Sequence, residues 1–193
     1  MWKLQVPRRI KTVHSAPTER RLSDVIPSLV ACPPLECGCG PCMTDILRED
    51  CVKLDLETAT KQQVIAELVD VLVRANRVKS KEAALTAVVQ RERQGSTGLG
   101  NGIALPHGTD HYIERVTAAL GVSRSGVEFD SADGKPAHVV LLLLGRTNCP
   151  QSNLHALDVA ARLLHTPGLV DIALDVATPG EMTEFIHGGV WAQ

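Results

Sequence analysis

Ala137-His138-Val139-Val140-Leu141-Leu142-Leu143-Leu144 is apolar at every position from 139 to 144. A strand with one face in water alternates apolar and polar residues, so an unbroken apolar run of this length reads as a strand covered on both faces. It falls far short of the roughly 20 residues that span a bilayer. The run therefore belongs at the centre of a sheet, and the rest of the chain supplies its neighbours.

Upstream, Val116 to Ser123 reads as a second strand, with turn signals between the two at Gly126 and Asp133-Gly134. Cys51-Val52-Lys53-Leu54-Asp55-Leu56 alternates with period two, the pattern of a half-buried strand. Thr60 and Gln63 form a capping box ahead of a helix whose stripe is Val64, Ile65, Leu68, Val69, Leu72 and Val73. Ser80 caps a second helix, carrying Ala84, Leu85, Val88 and Val89 and running to about Arg91. Downstream of the central strand, Asn153 or Ser152 is positioned to cap a helix facing the core with Leu154, Leu157, Ala161 and Leu164. A segment from Pro167 to Leu174 follows, then Thr178-Pro179-Gly180-Glu181, a capping box with proline at the first helical position. Strand and helix signals alternate. The expected class is α/β, a sheet with helices on its faces.

Composition narrows the function. Of 193 residues, 44% are apolar and 22% charged, with 20 Lys plus Arg against 22 Asp plus Glu. With a formal charge of −2 there is no basic excess to displace counterions from a nucleic-acid backbone. Aromatics make up only 3%, too few for a base-stacking surface. Neither nucleic acid nor membrane insertion is expected.

Residues 1–42 differ from the rest. They hold six of the 11 prolines, four of the six cysteines, and six cations against Glu19, Asp24 and Glu36. Proline at 7, 17, 27, 33, 34 and 41 interrupts any regular element, so this leader is expected to be mostly disordered. Leu29-Val30-Ala31-Cys32 has the form of a lipoprotein cleavage box, but Arg20, Arg21, Asp24 and Pro27 stand where an apolar h-region is required. Cys32, Cys37, Cys39 and Cys42 supply four thiols for a zinc ion, yet a structural site ordinarily has two separated pairs; unordered, reduced cysteines are the preferred reading. Met43 as the natural start is a third reading. Six cysteines without a signal peptide point to a reducing cytoplasm, with Cys51 and Cys149 as small core residues. Trp191 reads as a docking contact.

The chemistry concentrates between 91 and 108. Gly95-Ser96-Thr97-Gly98-Leu99-Gly100-Asn101-Gly102 carries four glycines in eight residues and leads through Ile103-Ala104-Leu105 to Pro106-His107-Gly108. Backbone N–H groups without a Cβ in the way admit an anion closely, which points to phosphate. No Gly-Lys-Ser/Thr follows, and the glycines precede a strand rather than a helix, so neither nucleotide fingerprint fits. An imidazole near its pKa of about 6.5 keeps one free lone pair and one N–H, so His107 can attack phosphorus without a separate base. His155 lies early in its helix, where it can offer an N–H to a phosphoryl oxygen.

Arg91 through Gly108 closely resembles the active-site segment of the fructose/mannitol-type IIA domains of the bacterial phosphoenolpyruvate-dependent phosphotransferase system, and most of all its nitrogen-regulatory branch. The likeness extends through Phe129-Asp130, Asp133-Gly134-Lys135-Pro136 and Asn153-Leu154-His155-Ala156-Leu157, and with Asp45-Ile46-Leu47 it covers about residues 43–188. The resemblance implies a IIA domain at 43–193 and an α/β sandwich with a mixed central sheet flanked by helices. It also implies His107 as the phosphorylated residue, with His155 and Arg91 as its companions. Gly98, Gly100, Asn101, Gly102 and Gly108 become the phosphate-binding set. By the same resemblance the donor is a phosphorylated histidine-phosphocarrier protein, the acceptor is a IIB domain or a regulatory target, and no metal or nucleotide cofactor is needed. Two roles stay open: a regulator, towards which the glycine-loop wording and the lack of a fused IIB, IIC or phosphocarrier segment lean, and a carrier for sugar uptake.

Overall fold

The computed structural model describes residues 42–58 and 60–188, so the expectations for the proline- and cysteine-rich leader and for Trp191 lie outside the described residues. In chain order the elements are α1 (Met43–Ile46), a 3-10 turn (Glu49–Cys51), β1 (Val52–Lys53), α2 (Lys61–Arg74), α3 (Lys81–Glu92), β2 (Gly98–Gly100), β3 (Ile103–Ala104), β4 (His107–Asp110), β5 (Thr117–Val127), β6 (Ala137–Arg146), α4 (Pro150–Leu164), α5 (Leu169–Asp175) and α6 (Pro179–Gly188).

The six strands form one sheet in the order β1-β5-β6-β3-β2, with β4 also on β6. β5 and β6 are antiparallel, whereas β1 on β5 and both β3 and β4 on β6 are parallel, so the sheet is mixed. Val139 to Leu144 is at most 3% exposed throughout. Because successive strand residues point to opposite faces, both faces of β6 are covered. Each fully buried Val or Leu there contributes about 1.5–3 kcal/mol.

Glycine contacts show which helix covers which face. A Cβ on Gly108 would sit 2.8 Å from the backbone of Ala87 and Val88 in α3, whereas one on Gly145 would strike the Asn153 side chain of α4. Gly108 pairs with Leu144, the residue before Gly145. Since Leu144 and Gly145 face opposite ways, α3 and α4 lie on opposite faces of the sheet. His107 alternates with Gly108, which places it on the face that α4 covers.

Helix starts follow the sequence closely. Thr60 accepts the Gln63 N–H, Ser80 accepts the Ala83 N–H, and Thr178 accepts the Glu181 N–H while Glu181 reaches back to the N–H of Ala177.

Other expectations shift. β1 is only two residues long, because Cys51 belongs to the preceding 3-10 turn and only the side facing β5 has a strand partner. Gly126 lies inside β5, not in a turn; at φ +77° it sits where the β5–β6 register slips. α4 begins at Pro150, so neither Asn153 nor Ser152 caps it. Asn153 instead accepts the Arg146 N–H at 3.2 Å and donates to the Arg146 carbonyl at 2.7 Å, fastening α4 to the end of β6. The buried stripe of α4 is Ala156, Val159, Ala160, Leu163 and Leu164, and Leu154 is 70% exposed. Cys51 is buried, which pushes its thiol up to about 11, but Cys149 is only half-buried, at the N-cap of α4. Among the described residues no helix is long and apolar enough to cross a membrane.

Candidate functional site

β3 and β4 run along the same edge of β6, interrupted at Leu105-Pro106. Proline has no N–H to donate, but its carbonyl still accepts the Leu143 N–H at 2.9 Å, so the strand path continues past the interruption. His107 is thus the first residue of β4, fixed by a rigid residue before it and by the close approach of Gly108 to α3 after it.

The imidazole is held at both nitrogens. Nδ1 lies 2.9 Å from the Leu105 carbonyl, and the Arg91 Nε–H donates to Nε2 at 3.1 Å. A carbonyl only accepts and a guanidinium only donates, so the proton is on Nδ1 and the lone pair is on Nε2. Burial, opposed by the Leu105 carbonyl and reinforced by the Arg91 charge, holds the imidazole below its ordinary pKa. At neutral pH the ring is therefore uncharged. Arg91, in the last turn of α3, also donates from Nη1 to the Gly95 carbonyl at 3.1 Å.

His155 is the sixth residue of α4, half-buried, and its ring makes no hydrogen bond among the described residues. It shares the His107 face of the sheet, but it lies beyond the first turn of α4, so the helix N-terminus does not assist it as expected.

The glycines occupy a different place from that expected. The Gly98 N–H donates to Ser96 Oγ at 3.1 Å, and the Asn101 N–H donates to the Asp133 carboxylate at 2.8 Å. That bond, with a second from the Lys135 N–H, holds the Asp133 carboxyl below the usual range. Gly100, Asn101 and Gly102 have φ of +84°, +53° and +79°, which turns β2 tightly into β3. They line an open depression of about 600 Å³ together with His138 and His165, and neither His107 nor Arg91 borders it. Gly98 faces Ser131, and Gly108 packs on α3. These residues shape a hairpin and a packing contact.

A polar cluster beside Arg91 was not anticipated. Lys61 donates to Glu92 at 2.9 Å and to Asp130 at 2.5 Å, with its ammonium 5.7 Å from the centroid of the Phe129 ring. Glu92 also accepts the N–H and the hydroxyl of Thr97. The one sequence signal for it was an acid closing a helix, where the macrodipole favours a cation. Among the described residues no group of three or more His, Cys, Asp or Glu is arranged to hold a metal ion.

Residues 45–188 match the model of the family described as phosphoenolpyruvate-dependent sugar phosphotransferase system, EIIA 2. The chain belongs to this family. It is 36% identical over 122 residues to the fructose-specific EIIABC component of Bacillus subtilis, covering 63% of this chain and 19% of that protein. The chain thus matches about a fifth of that relative's length. It is 29% identical over 125 residues to the nitrogen regulatory protein of Klebsiella oxytoca, covering 63% of this chain and 75% of the relative. The crystal structure of the nitrogen regulatory protein IIA-Ntr from Neisseria meningitidis superposes with a TM-score of 0.67 at 30% identity, over 74% of this chain and 96% of that one. EIIA 2 domains are phosphotransfer components, and the mixed sheet flanked by helices is their fold.

Proposed function

We propose that this EIIA 2 domain accepts a phosphoryl group on Nε2 of His107 from a phosphorylated histidine-phosphocarrier protein and passes it on, in a nitrogen-type regulatory branch of the system. The observation that carries this reading is the Arg91–His107–Leu105 arrangement, in which one nitrogen holds the proton and the other presents a lone pair beside a guanidinium. The Nε2 lone pair attacks phosphorus, the donor's P–N bond breaks, and its electron pair returns to the donor ring. Positive charge develops on the accepting ring, and the Leu105 carbonyl on Nδ1–H stabilises it. Arg91 N–H groups transfer from Nε2 to the phosphoryl oxygens, where charge-assisted bonds are strongest. His155, on the same face of the sheet, supplies a further hydrogen bond to those oxygens. The cytoplasm, where a soluble phosphocarrier is met, is the proposed location.

The 30% identity to the nitrogen regulatory structure supports the regulatory branch. The 36% identity to a fructose-specific component favours a second reading, sugar uptake through a IIB domain. Incubation with phosphoenolpyruvate, the first enzyme of the system and its phosphocarrier should add one acid-labile phosphate, absent in His107→Ala and absent with ATP alone. Labelling that persists in His107→Ala refutes the assignment. Rapid discharge to a fructose-type IIB domain would move the role to uptake.

A further inference from the structure

Glu92 ends α3, where the helix dipole disfavours a carboxylate, and its side chain is only 10% exposed. Such a placement is destabilising unless the charge is matched, and here it is matched from two other elements. Lys61, at the start of α2 and 17% exposed, meets one carboxylate oxygen, while both the N–H and the hydroxyl of Thr97 meet the carboxylate from the far side of the turn. Lys61 is fixed in turn by Asp130, which holds a left-handed φ of +50°, and by the Phe129 ring. The residues between Glu92 and Thr97 are therefore tied at both ends by one side chain. Gly95, within that turn, presents the carbonyl on which the Arg91 guanidinium rests, 3.1 Å from Nη1, while Arg91 Nε reaches His107. Glu92 itself has no hydrogen bond to His107 or Arg91.

We propose that Glu92, clamped by Lys61 and Thr97, is a positioning residue: it sets the α3–β2 turn so that the Arg91 guanidinium bridges Gly95 and His107. The proposal rests on the phosphoryl-transfer reading above for its kinetic consequence, but not for its structural one. Misplacing a catalytic donor by about 1 Å costs up to 100-fold in rate, so a loosened turn slows the chemical step while leaving donor docking intact. Glu92 also opposes burial and Arg91 in setting the charge of His107, the groups that act on this ring besides the Leu105 carbonyl.

The test uses the full chain carrying Glu92→Gln, which keeps the shape and an acceptor for Thr97 but removes the charge, with Lys61→Met and Lys61→Arg alongside. Single-turnover transfer from the phosphorylated phosphocarrier is measured against donor concentration, and the His107 ring is titrated by NMR. Glu92→Gln and Lys61→Met are expected to lower the saturating rate about tenfold with the half-saturating concentration unchanged, Lys61→Arg to retain most of the rate, and Glu92→Gln to move the His107 midpoint further down. A folded Glu92→Gln with wild-type rate and an unmoved midpoint overturns the proposal, as does a loss confined to half-saturation. Should Glu92→Gln fail to fold, Thr97→Val, which removes one of the two Thr97 bonds, is read by the same rate and titration, and wild-type values there overturn it. If even the wild type accepts no phosphate, the transfer reading fails; the positioning claim is then decided by whether Glu92→Gln moves the Arg91 Nε–H and His107 resonances.

Discussion

His107 and His138 stand on the neighbouring strands β4 and β6, and in each the Nδ1 atom lies 2.9 Å from a backbone carbonyl, of Leu105 and of Ser123. Both rings thereby carry a proton on Nδ1. Their surroundings differ. Arg91 donates to the Nε2 of His107, whereas His138 borders the depression shaped by the Gly100–Gly102 turn and, among the described residues, has no arginine hydrogen-bonded to its ring. A correctly oriented imidazole is thus insufficient as a mark of function. What separates the two regions is a cation beside the ring, placed where the proposed transfer would bring the charge of a phosphoryl group; Arg91 holds that place from the last turn of α3.

The largest expected effect breaks the comparison outright: His107→Ala abolishes phosphate incorporation, and His138→Ala leaves it at the wild-type level, measured by intact mass after incubation with the donor system. Next comes the environment of the ring. Arg91→Ala and His155→Ala each remove one charge-assisted bond to the phosphoryl group, worth roughly 1.5–3 kcal/mol, so each slows single-turnover transfer about tenfold to a hundredfold without abolishing it. Because burial and then Arg91 hold the His107 pKa down, loss of the cation raises the midpoint towards its ordinary value. Transfer, which requires the neutral ring, then fails at a higher pH than in the wild type. Stability has the same sign: the folded ring binds a proton less readily than the unfolded one, so stability present above about pH 6.5 declines as pH falls towards the depressed folded value.

A smaller effect concerns the frame beneath His107. A Cβ on Gly108 meets the α3 backbone at 2.8 Å, while Gly95 has open space around it. Gly108→Ala should cost about 1–3 kcal/mol and Gly95→Ala no more than about 0.5 kcal/mol, read from urea unfolding midpoints. Equal midpoints for the two variants would show that β4 does not need its close contact with α3.

Much of this was legible beforehand, for identifiable reasons. The run 139–144 permitted only a strand covered on both faces, and Thr60, Ser80 and Thr178 announced their helices through local hydrogen bonds that depend on a few residues alone. The phase of α4 was not legible. Leu154-Leu157-Ala161-Leu164 and Ala156-Val159-Ala160-Leu163 are both apolar stripes at helical spacing; packing buries the second together with Leu164 and leaves Leu154 exposed. The glycine-rich stretch is ambiguous for a related reason: glycine signals a left-handed φ or a close approach, but not whether a ligand or another part of the chain fills the space. The Lys61–Glu92 clamp joins residues 31 positions apart, beyond the reach of local pattern.

The central claim is that Nε2 of His107 is the accepting atom, because Nδ1 is committed to Leu105. Its most direct test is 15N NMR of ring-labelled protein phosphorylated through the phosphocarrier and kept under alkaline conditions. The predicted result is a single phosphorylated histidine, His107, with phosphorus on Nε2 and a proton retained on Nδ1. Phosphorus on Nδ1 of His107, or on His155, would contradict it.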